Sequence, residues 1–107
     1  MPFQNFVAHA FTPHTIRALA PQSPGVFGIS SAREWIYIGE SDNIQQALLL
    51  LFAGNSSPLM ARQPTGFVFE LCHAAVRTAR QDRLVMEYEP VCNRTWDQAS
   101  ARQDGTR

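Results

Sequence analysis

Three arginines, Arg77, Arg80 and Arg83, fall close together, and Arg94 follows them. A guanidinium is a planar fork of donors that matches phosphate oxygens, so such a cluster is one way to hold a nucleic-acid backbone. The plainer alternative is a solvated helix face balanced by Glu87 and Glu89. Tyr37, in a Tyr-Ile-Gly triplet, adds a phenol that can donate or accept a hydrogen bond. Glu40, just after that triplet, and His73 are further side chains able to act as acid, base or ligand, and both also suit surface or helix-capping roles. Cys72 and Cys92 lack the CxxC spacing of a metal or redox pair and read as free, partly buried thiols.

These groups need elements to carry them. Residues 12–20, "TPHTIRALA", have a cap at Thr12, Pro13 at the first helical position, and Ile16, Leu19 and Ala20 at helical spacing, which predicts a short helix. Pro21 and Pro24 end it and lead into "GVFGIS" (25–30), a strand. "SSARE" is a turn and "EWIYIG" (34–39) the returning strand, with Gly25 and Gly39 taken as turn-formers. Ser41 is an N-cap for a helix over about 42–53, closed by Gly54 and Asn55. "NSSPLMARQPTG" reads as loop. "GFVFELC" (66–72) is a third strand with Phe67, Phe69 and Leu71 on one face. Residues 74–89 are helical until Pro90, and one more turn is expected around Trp96 before a disordered end.

The chain of 107 residues has room for one modest core. Nine basic residues, all arginine, balance nine acidic ones, so no net field draws in nucleic acid and any such contact must be local. No secretory signal and no apolar run of about 18 residues is present, which predicts a soluble cytoplasmic protein without membrane contact.

In order, "PGVF", "YIG", "GESDNIQQAL" and "QDRLVMEYEPVCN" on a β-β-α-β-α frame resemble the GIY-YIG nuclease domain. The resemblance spans residues 22–93, leaving 1–21 as an N-terminal extension and 94–107 as a tail. It implies an α/β (α+β) fold with a small three-stranded antiparallel sheet flanked by helices. By resemblance, two tyrosines serve near the nucleophile, an arginine on the first helix contacts the phosphate, and a glutamate on the second helix ligates a divalent metal. Phosphodiester hydrolysis needs such parts to activate water and take up charge.

Carried over position by position, the first tyrosine falls on Phe27, which cannot hydrogen-bond, and the second is kept as Tyr37. The helix arginine falls on Ala47, and a histidine often found one turn later falls on Leu51. The metal-binding glutamate falls on Gln81, a poor substitute because Mg²⁺ sites depend on carboxylates. The closing asparagine is kept as Asn93. Asp82 and Glu87 are nearby in sequence but rotated off the Gln81 face.

The helix that should bear the arginine instead carries "ALLLLFA" (47–53). Ile44, Leu48, Leu51 and Phe52 make one stripe, which leaves Leu49 and Leu50 in surplus, and the face with Ala47 and Leu51 becomes apolar. The expectation is a non-catalytic domain, with no cofactor, that binds a protein partner or itself through an apolar groove at Ala47, Leu50 and Leu51. Cover of that groove by the chain's own N-terminal helix or tail is the competing reading. The functional alternatives are a non-cleaving nucleic-acid binder using Arg77, Arg80, Arg83 and Arg94 with Tyr37, and an Mg²⁺-dependent endonuclease with relocated ligands. Gly25, Gly39, Ser41 and Asn93 are assigned structural roles.

Overall fold

The computed structural model describes residues 3, 7–54 and 58–93. Strand β1 (His9–Ala10) leads into helix α1 (Pro13–Leu19). The hairpin β2 (Gly25–Ser30) and β3 (Trp35–Ser41) feeds α2 (Ile44–Ala53). A short α3 (Pro58–Ala61), strand β4 (Gly66–Leu71) and the long α4 (Ala74–Tyr88) complete the order. The sheet has four antiparallel strands in the order β1-β4-β2-β3, one more than the three expected. The extra strand is two residues long, too short to show any alternation. The turn α3 likewise falls in a stretch read as loop.

Both faces of the sheet are covered, which is why β2 is buried along nearly all of its length. On one face Phe27, Ile29, Ile36 and Phe67 pack with Ile16 and Ala20 of the N-terminal segment and with Ile44 and Leu48 of α2. On the other, Val26, Ile38 and Val68 pack with Leu84 of α4 and with Phe3. Phe67, Phe69 and Leu71 do share a face, but Leu71 at the strand end is 60% exposed.

A bulge shapes the hairpin. Ile29 opposes Tyr37 while Ser30 opposes Trp35, so Ile36 is the extra residue. Ile36 and Tyr37 thereby both turn toward α2, and Trp35 turns to the α4 side, 4.5 Å from the Tyr88 ring.

The local signals act mostly where expected. Thr12 caps α1, its hydroxyl accepting from the Thr15 amide at 3.2 Å, with Pro13 first in the helix. The cap of α2 is Asn43, not Ser41: the Asn43 side chain accepts from the Gln46 amide at 3.0 Å. Ser41 shapes the turn before it, accepting from the Asn43 amide and donating to the Asn43 carbonyl, both at 2.9 Å. Gly25 and Gly39 are strand residues and neither has positive φ, so turn formation is not their role. A Cβ on Gly25 would lie 2.3 Å from the Glu70 carbonyl oxygen, so close strand and helix approach is what excludes a side chain there. Asn55, Arg94, Trp96 and the tail lie outside the described residues.

Candidate functional site

Phe27 and Tyr37 come together on the α2 side of the sheet, ring centroids 6.1 Å apart and tilted by 54°. Gly39 makes this possible: a Cβ there would sit 2.8 Å from Tyr37 Cε2 and 2.9 Å from Phe27 Cζ. Phe27 is only 2% exposed and works as core. Ala47 and Leu51 pack half-buried against the same cluster, while Leu50 points outward at 66% exposure.

Helix α1 covers part of α2. The Gln45 side-chain amide donates to the carbonyls of Arg17 at 3.2 Å and Ala20 at 3.1 Å, and Phe11 meets Phe52 edge-on at 5.4 Å. Leu50 stays outside that clasp. Gln81 sits half-buried on α4, the helix of the opposite layer.

The arginines of α4 are spoken for. Arg77 donates to Glu40 at 2.9 Å, to Asp42 at 2.7 Å and to the Ser41 carbonyl at 3.2 Å, tying α4 to the junction of β3 and α2. Glu40 also accepts from the Thr78 hydroxyl at 2.8 Å, so both its oxygens are engaged. Arg80 grips buried Glu70 with a two-pronged pair at 2.7 and 2.9 Å. Hydrogen bonds donated to these carboxylates raise both guanidinium pKa values, against a smaller opposing effect of burial. The hydrogen-bonded balancing charges come from β3, its turn and β4, and Glu87 adds a smaller coulombic pull on Arg80. Arg83 is exposed and has no ion pair among the described residues.

Sequence reasoning did not find the Glu70–Arg80 pair. The available signal was a lone carboxylate in the middle of an apolar strand, on the face shared with buried Val68, where an unpaired charge is costly.

Asn93 is buried and fills its expected structural place. Its amide accepts from the Ile38 N–H at 2.6 Å and donates to the Ile38 carbonyl at 2.8 Å, closing the outer edge of β3. His73 occupies the N-cap position of α4 without a side-chain capping bond. Both cysteines are free, with Cys72 half-buried and Cys92 buried, where burial pushes its thiol pKa up. Among the described residues, no three of His, Cys, Asp and Glu gather as a metal site, and no helix is long and apolar enough to cross a membrane.

A bulged hairpin, a capped helix, a further antiparallel strand and a long helix closed by a buried asparagine make a GIY-YIG-like nuclease fold. Among solved structures, the magnesium-bound GIY-YIG N-terminal endonuclease domain of UvrC from Thermotoga maritima superposes with a TM-score of 0.60 at 20% identity, covering 70% of this chain and 91% of that one. A tyrosine-to-phenylalanine mutant of that domain, bound to the catalytic divalent cation, gives 0.59 at 21% identity, covering 70% and 90%. Compared with protein-family models and with curated proteins, the sequence matches none. At such identities the likeness is one of fold.

Proposed function

We propose that this chain is a GIY-YIG-like domain that does not cleave nucleic acid and works as a protein-binding or self-associating module. The observation that carries the reading is the chemistry standing at the positions the resemblance assigns to catalysis. Phe27 is a core ring, Ala47 brings no cation, and Gln81 offers a neutral amide where a divalent metal needs a carboxylate. Glu40, three residues after Tyr37, is held by Arg77 and Thr78. These donors do not fit the divalent cation of the related structures, so no hydrolytic step is derived through one.

What α2 offers instead is apolar surface, with Leu50 66% exposed and its neighbours Ala47 and Leu51 half-buried. Full burial of a leucine against a partner is worth about 1.5–3 kcal/mol. Nucleic-acid binding is the weaker reading: Arg77 and Arg80 are paired internally, which leaves Arg83, and beyond the described residues Arg94, to contact phosphate.

The test has two arms. Purified protein incubated with supercoiled plasmid and Mg²⁺ or Mn²⁺ is expected to leave it intact, and cleavage abolished by Tyr37→Phe would overturn the proposal. Sedimentation across a concentration series is expected to show reversible self-association weakened by Leu50→Asp. A strict monomer restricts the reading to a different partner. DNA affinity that falls steeply with salt and is lost with Arg83→Glu would favour the nucleic-acid reading instead.

A further inference from the structure

We propose that the outer edge of β4, with the groove between it and α4, binds an extended acidic peptide by strand addition. This site uses neither Ala47, Leu50 nor Leu51 and stands apart from the reading above. The argument starts from backbone direction. Asn93 bonds both backbone groups of Ile38, so Ile38 faces away from β2, and its β2 partner Gly28 must face β4. By alternation Val26, Gly28 and Ser30 bond toward Glu70, Val68 and Gly66, which leaves Phe67, Phe69 and Leu71 facing outward. Strand β1 pairs only with Gly66 and Phe67. Among the described residues, no backbone group bonds to the outward N–H and C=O of Phe69 and Leu71. An open strand edge with unpaired donors and acceptors is a template for another strand.

The surroundings say what kind of strand. Opposite Glu70, an added residue would turn its side chain to the α4 side, into an open groove of about 420 Å³ walled by Val76 and Ala79 and bordered by the end of β4. Val76 is 54% exposed, so an apolar side chain there removes its surface from water as well. The charge at the rim is positive. Arg80 is neutralised by Glu70, whereas Arg83 lines the groove without a carboxylate among the described residues, and His73 stands at its other end. A carboxylate two residues along from the apolar one, on the same face, would complete that charge. A second copy added across a two-fold axis would instead set Arg83 toward its own equivalent on the same face, like charge on like.

The test uses the full chain and two fluorescein-labelled peptides, Glu-Thr-Ile-Thr-Asp and its counterpart Lys-Thr-Ile-Thr-Lys, followed by anisotropy. The acidic peptide is expected to bind and the basic one to bind at least about tenfold more weakly. Leu71→Pro removes one outward donor without touching the ladder to β2 and is expected to abolish binding. Should that variant lose its fold, Arg83→Glu carries the test, with an expected loss of roughly fivefold for the acidic peptide. Hydrogen exchange should show protection of the Phe69 and Leu71 amides on binding. Equal affinity for both peptides, or none for either, overturns the proposal. So does concentration-dependent protection of the same amides without peptide, which would make a second copy the occupant.

Discussion

On the α4 side of the sheet, helix and strands are joined by directional charge: Arg77 with Glu40 and Asp42, Arg80 with Glu70. On the α2 side the join is made by shape, with Phe27 and Tyr37 seated over Gly39 and aliphatic side chains of α2 closing on them. The first kind of contact fixes where along the strands the helix sits, because a guanidinium fork accepts few geometries. The second tolerates sequence drift as long as volume is kept. Arginines beside a sheet of this fold need not be available to phosphate.

If that contrast is right, the costliest single change lies on the α4 side. Arg80→Ala strands Glu70, whose side chain is only 7% exposed, and is expected to lower stability by about 3–5 kcal/mol in urea unfolding followed by tryptophan fluorescence. A loss under about 1 kcal/mol would mean that Glu70 finds water and that the pair is not what holds this face. On the shape side, Gly39→Ala is expected to cost about 1–3 kcal/mol, because ring carbons stand where the methyl must go. Adding Tyr37→Phe should not relieve it, since Cε2 remains in the way.

Alkali titrates both faces separately. Burial raises Cys92 on the α2 side above its ordinary 9.0 and Tyr88 on the α4 side above its ordinary 10.0. Each contributes stability that is complete below its unfolded pKa and is lost as pH rises through the folded one. Tm is therefore expected to be flat up to about pH 9 and to fall beyond it, with Cys92→Ala removing the earlier part of the fall and Tyr88→Phe the later. The smallest effect is expected at Arg62→Ala, within about 0.5 kcal/mol, since its 3.5 Å contact with Glu34 is half in solvent.

Much of this architecture was legible in one dimension. The strand over 25–30 was read to the residue because prolines precede it and its apolar run is unbroken. The helix after it was displaced at its start, because Ser41 and Asn43 both have capping side chains and only the backbone decides between them. Strand β1 and the Glu70–Arg80 pair were not legible: pairing two residues across a sheet, or a strand with a helix, is a long-range event with no local period. Of the candidate site, the residue types at 27, 47 and 81 are plain in the sequence, while the roles given to those positions come from the resemblance alone. The internal partners of Arg77 and Arg80 could not be read, because charge in a sequence carries no address.

The Asn93 amide, with one donor and one acceptor set against Ile38, stands in for a neighbouring strand on the outer edge of β3. The two margins of the sheet are therefore unlike in kind: one is held by a side chain from the far end of the domain, while the other has no backbone partner beyond His9 among the described residues. A chain cut short before Asn93 would leave both backbone groups of Ile38 without that partner and acquire a second exposed margin. Its two ends could then propagate from molecule to molecule, turning a discrete domain into a fibre-forming one.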